Sequence, residues 1–208
     1  MALIRIASVS APLDRPRLVG PAVELVRRAA ALGLLARDRS VDRLDLALVR
    51  EIAGRASEAG VGGDAALGLM RAERSTERLA SLIERLDDAL VANPLPGREL
   101  AAVVDVLGLD ATARLAGTSA VSLRRYLAGS RGAPDVIAER IHWLALVIGD
   151  LAGAYNDLGV RRWFERPRTA LAGRAPADVL SGGWLPDDPA VTSVRELARA
   201  LAGTGAAT

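Results

Sequence analysis

Residues Leu109 to Ala128 read LDATARLAGTSAVSLRRYLA, and their spacing decides how the chain is to be folded. A helix-turn-helix needs a small residue in its first helix, where the second helix crosses close by, and Gly in the turn, because Gly takes the left-handed conformation at little cost. Ala113 supplies the first and Gly117 the second, four residues later. Leu123 and Tyr126, three apart, give the second helix an inner face, and Thr112 and Ala116 fill the remaining inner positions of the first. The bland alternative is a helical hairpin with a coincidental Gly, since small-x-x-x-Gly patterns are common in Ala-rich chains. Spacing alone does not decide between the two.

Charge separates them. Ser119 caps or begins the second helix, whose outward residues are Ser119, Ala120, Ser122, Arg124 and Arg125, with Arg131 just beyond. From Ala111 to Pro134 there are four arginines (Arg114, Arg124, Arg125 and Arg131) and no acidic residue. The whole chain is nearly balanced, with 27 basic and 25 acidic residues for a net charge of +2. Its pI of 9.8 is high because every basic residue is Arg, which stays protonated, so only local clustering argues for a polyanionic partner. Arg is the side chain best shaped for bidentate contact with guanine or phosphate. Spacing and charge together make double-stranded DNA the expected partner, through Ser119, Ala120, Ser122, Arg124, Arg125 and Arg131.

The rest of the chain agrees with an all-α fold. Half of the 208 residues are apolar and only 3% aromatic, so Leu, Val, Ile and Ala must fill the core, and Leu and Ala favour helices. Residues 1–20 read as an irregular arm, and Pro21 as a first-turn residue of a helix reaching about Leu35. Ser40 is the expected cap of a second helix, with Leu44, Leu48, Ile52 and Ala56 on one face and Gly60 as its stop. A long helix is expected over Thr76–Ala92, striped by Leu79, Leu82, Ile83, Leu86 and Leu90. That stripe suits either packing within its own domain or a dimer seam, which a protein binding two half-sites would need. Pro94, Pro96 and Gly97 mark a boundary, and the last segment is a set of short helices broken by prolines.

Enzyme chemistry finds little footing. Cys is absent, and His142 is the single His, so it reads as a packed residue rather than a metal ligand. Asp87-Asp88 and Asp187-Asp188 point to different faces, and Gly60, Gly62 and Gly63 are followed by no Lys of a phosphate loop. No catalytic residue, cofactor or metal is expected. With no long apolar run, the plain reading is a soluble cytoplasmic protein without membrane contact.

A resemblance narrows the expectation. Gly117 to Arg131, followed by a helix from Pro134 to Ala152, resembles the Xre class of regulators. Leu158-Gly159-Val160-Arg161-Arg162-Trp163-Phe164, then Arg166-Pro167-Arg168, Leu171-Ala172-Gly173-Arg174-Ala175-Pro176 and Val179-Leu180, resembles the toxin-binding domain of Xre/MbcA/ParS-type antitoxins. The family's closing apolar helix resembles the stretch with Val194, Leu197 and Leu201. The likeness covers about Gly97 to Gly203. It implies an antitoxin-like transcriptional regulator whose C-terminal module neutralises a toxin, commonly of the NAD-consuming RES class, and which represses its own promoter. Two features depart from that pattern: the long helical region before Pro94, and a tail, Gly203 to Thr208, too small and uncharged to anchor in a polar site.

The expected organisation is a helical N-terminal region of unassigned role over 1–75, a helix-turn-helix domain over 76–155 and a small helical toxin-binding module over 156–208. The module's expected contacts are Trp184, as an exposed loop anchor, with Arg161, Arg168 and Arg174 as its rim, while Trp163 and Phe164 read as core. A homodimer is expected on DNA. Two other readings stay open: a DNA-binding regulator whose C-terminal module binds some other protein, and an interaction protein with a silent helix-turn-helix.

Overall fold

Apolar residues spaced by three and four, with few aromatics, make helices whose stripes must find cover from one another. The computed structural model describes residues 6–36, 41–71 and 75–204, and over these the fold is all-α apart from one pair of two-residue strands. The chain divides into two compact units, 2–94 and 95–208.

In the first unit, β1 (Ser8–Val9) precedes α1 (Pro16–Ala31), and β2 (Arg43–Leu44) pairs with β1 in parallel, Ser8 facing Arg43 and Val9 facing Leu44. Helices α2 (Leu46–Glu58), α3 (Gly63–Arg71) and α4 (Thr76–Ala92) follow. Helix α4 lies against α1 and α3, and α2 against α3. Helix α1 starts at Pro16 rather than Pro21: the earlier proline also suits a first turn, and Pro21 is carried inside the helix. Ser40 lies outside the described residues. Asp45 caps α2, its carboxylate accepting from Leu48 N at 3.0 Å, and Leu44 belongs to β2 instead of to the helix face.

All five residues of the α4 stripe are buried inside this unit. Gly62, at φ +87°, lets α3 begin close to α4: a Cβ there would lie 2.5 Å from a Leu86 methyl. Arg28 of α1 meets Asp87 of α4 at 2.6 Å, and Arg15 reaches the Thr76 hydroxyl at the start of α4. The stripe is therefore core, and it is not available as a dimer seam.

The second unit runs α5 (Pro96–Leu107), α6 (Leu109–Ala116), α7 (Ala120–Leu127), α8 (Asp135–Leu151), α9 (Asp157–Glu165), a 3-10 turn (Thr169–Leu171), α10 (Pro176–Val179) and α11 (Pro189–Thr204). Helix α8 is its axis, with every residue from Arg140 to Leu151 buried. A helix apolar on all sides needs cover on all sides. Helices α5, α6 and α11 supply it, while α9 packs on α5 and α10. Trp163 and Phe164 are core as expected, at 1% and 2% exposure, edge to face at 5.2 Å.

These contacts place the boundary at 94/95 rather than at 75/76 and 155/156. The stripe of α4 finds its cover in α1 and α3, which draws that helix into the first unit. The closing helix covers α8, which joins α9, α10 and α11 to α6 and α7 in one body. No helix among the described residues is long and apolar enough to cross a membrane.

Candidate nucleic-acid interface

Helix α6 ends at Gly117, which takes the left-handed conformation at φ 70° and ψ 38°. Thr118 N returns to Ala113 O at 2.9 Å and Gly117 N to Arg114 O at 3.2 Å, which satisfies two of the carbonyls left open at a helix C-terminus. The next two are met from far along the chain. Trp184 Nε1 donates to Leu115 O at 2.8 Å, and Arg140 Nη1 donates to Ala116 O at 3.1 Å. Arg140 Nε also donates to Trp184 O at 2.7 Å, with the guanidinium carbon 5.4 Å from the indole centroid. The buried cation thus sits at the negative end of the α6 dipole, where it is favoured. A Cβ on Gly117 would fall 2.6 Å from Arg140 Nη1 and 3.1 Å from Gly182 O, so the turn requires Gly for space as well as for φ.

Three residues, Gly117 to Ser119, separate α6 from α7. Ser119 is extended and caps α7, its hydroxyl oxygen accepting from Ser122 N at 3.0 Å while its proton faces Ser122 Oγ. At the far end, Ser130 N returns to Arg125 O at 3.1 Å. Leu123 is the one fully buried residue of α7; Tyr126 is only half-buried, so the inner face is narrower than the sequence suggests. Of the expected DNA-facing residues, Ser119, Arg124, Arg125 and Arg131 are exposed, and Ala120 and Ser122 are half-buried. The guanidinium groups of Arg124, Arg125 and Arg131 have no partner among the described residues.

Arg114 differs. It pairs with Glu165 of α9 at 2.7 Å, so the window free of acids in sequence is not free of them in space. Sequence reasoning also passed over Val121, which is 55% exposed on the same helix as Arg124 and Arg125.

The C-terminal contacts require a larger correction. Trp184 is 4% exposed: its indole packs edge-on to Trp143 at 5.1 Å and donates to α6, so it is an internal strut and not a surface anchor. Arg161 Nε donates to Val106 O in the last turn of α5. Arg168 is half-buried with its guanidinium 5.5 Å over Trp163, and Arg174 Nη2 donates to Asp178 O at 3.0 Å. Each expected rim arginine therefore has an intramolecular role. The exposed apolar side chains of this region are Leu158 and Leu185, at 53% and 50%.

The Leu171–Pro176 stretch is a tight loop. Ala172 and Gly173 are both left-handed, Gly173 N bonds back to Arg168 O, and Arg168 N donates to Arg174 O. Asp178 Oδ2 accepts from Ala175 N at 3.0 Å, and Pro176 opens α10. Val194 of α11 is fully buried, with Leu197 and Leu201 half-buried beside it. Residues 205–208 of the small, uncharged tail lie outside the described residues.

His142 is buried against Glu99, Nδ1 to Oε1 2.7 Å, joining α8 to α5. No group of three or more His, Asp or Glu side chains among the described residues is placed to hold a metal ion. No protein-family model, curated protein or solved structure matches this chain.

Proposed function

We propose that this chain is a DNA-binding helix-turn-helix regulator of the antitoxin type, with α7 as the helix that enters the major groove. The observation that carries this reading is the mounting of α7. It follows a three-residue turn closed by a left-handed Gly117, is held by Leu123 and capped at Ser119, and leaves its two arginines, like Arg131 just beyond it, without a partner among the described residues. Such a helix gives up little of its surface to its own fold. Arg124 and Arg125 supply guanine or phosphate contact, Arg131 supplies phosphate contact, and the Ser119 and Ser122 hydroxyls can serve either. Two copies on a two-fold operator complete the reading, through a surface other than the buried α4 stripe. It needs no catalytic residue or cofactor, and it has the protein acting in the cytoplasm, beside its operator.

The partner-binding half of the proposal rests on the resemblance of Leu158–Leu180 to an antitoxin's toxin-binding domain. A toxin of the RES class is the partner this brings. With Trp184 buried, Leu185 takes its place as the apolar contact.

The test uses the full chain and a labelled duplex from its own upstream region, followed by fluorescence anisotropy against random-sequence competitor. Preference for the upstream duplex by about a thousandfold or more is expected of an operator-specific protein. Equal affinity for both duplexes would overturn the regulatory reading. Co-expression of the Leu185→Asp variant with the product of the adjacent gene tests the second half. Loss of growth rescue with operator binding intact supports it, and unchanged rescue removes Leu185 from the contact.

A further inference from the structure

We propose that Val121 reads the C5 methyl group of a thymine in the major groove, and so sets sequence preference beside Arg125. The inference deepens the DNA-binding reading and rests on it. With Leu123 marking the inner direction of α7, the helical turn of about 100° per residue puts Val121 about 160° and Arg125 about 200° round the axis. The two therefore share the outermost line of the helix, one turn apart. Val121 is 55% exposed there, an apolar side chain among Ser119, Ser122, Arg124 and Arg125.

The surroundings indicate what covers it. The partnerless guanidinium groups of Arg124, Arg125 and Arg131 favour a polyanion over an apolar protein surface. Along the floor of a major groove the apolar group on offer is the thymine methyl. Valine suits that contact because branching at Cβ holds its methyls in one preferred rotamer on a helix, and it cannot hydrogen-bond to any base edge. Ala120, Ser122 and Ala128 are short, so α7 can approach the base edges closely. Side chains one turn apart have Cβ atoms roughly 5–6 Å from each other, against about 3.4 Å between successive base pairs. The thymine read by Val121 thus lies within two base pairs of the guanine read by Arg125.

The experiment replaces each thymine of the upstream duplex in turn with deoxyuridine, which removes the methyl group alone. Binding of the wild-type chain and of Val121→Ala is followed by anisotropy, with light scattering on both proteins. At one thymine per half-site, uracil should weaken wild-type binding about fourfold, the factor corresponding to burial of one methyl group. Val121→Ala should bind the thymine and uracil duplexes alike at that site. A wild type that binds the duplex with no uracil penalty, or a penalty that Val121→Ala retains, overturns the role of Val121 and leaves DNA binding standing. A wild type that binds no duplex overturns the DNA reading and this inference with it. An unchanged uracil profile, with a loss of assembled mass in Val121→Ala, would assign Val121 to contact with a second copy.

Discussion

Helices α4 and α7 are both amphipathic, and they use that property in opposite ways. Helix α4 has 17 residues and buries Thr76, Leu79, Leu82, Ile83, Leu86 and Leu90 within its own unit. Helix α7 has eight residues and buries Leu123 alone. The charge facing α1 on α4 is used internally, Asp87 on Arg28, whereas the arginines of α7 have no internal partner. A long apolar stripe is thus poor evidence of an interface when neighbouring helices can cover it. A short helix with one anchor, fixed by caps and by a clamp on its turn, is the better candidate for contact with another molecule.

The largest effect should come from breaking the α4 side. Leu86 is fully buried, so Leu86→Ala should cost about 2–5 kcal/mol, seen as a lower denaturation midpoint with the assembled mass unchanged. A loss of assembled mass with an unchanged midpoint would return the stripe to a dimer seam. A smaller effect is expected where α7 is mounted. Trp184→Phe keeps an aromatic ring but removes the donor to Leu115 O, which should cost about 1–3 kcal/mol for a buried acceptor left unmet. Hydrogen exchange at Gly117 and Thr118, whose amides bond back to α6, should quicken in that variant, and unchanged protection there would deny the clamp. The smallest effect belongs to Arg114→Ala. Its pair with Glu165 is 58% and 59% exposed, so a stability change within about 0.5 kcal/mol is expected by chemical denaturation. A clearly larger change would mean that α6 depends on that ion pair.

The limits of α4 were legible because its stripe repeats over about three turns and its flanks are Ser75 and Asn93. The Gly117 turn was legible because left-handed geometry favours one residue type so strongly. The clamp was not. Arg140 and Trp184 stand 24 and 69 residues from the carbonyls they serve, and no local pattern encodes such a match. Trp184 follows Gly183 and precedes Leu185-Pro186, which reads as an exposed loop until the fold shows α6 beneath it. The ion pair of Arg114 was hidden for a related reason, since its partner Glu165 lies 51 residues further on, well outside the acid-free window. Val121 escapes a reading that looks only for polar side chains, although its place opposite Leu123 on the helix was there to be found. The β1–β2 pair is too short to leave an alternating pattern.

The central claim, that the free face of α7 binds DNA, is tested most directly by the salt dependence of binding in the Arg124→Ala/Arg125→Ala variant of the full chain. Circular dichroism first establishes that its helix content matches the wild type, as expected for exposed side chains. The double variant should bind the upstream duplex more weakly, and its slope of log affinity against log salt should be shallower by about 0.9 for each phosphate left without its arginine. A folded double variant with wild-type affinity and an unchanged slope would contradict the claim and move the DNA surface away from α7.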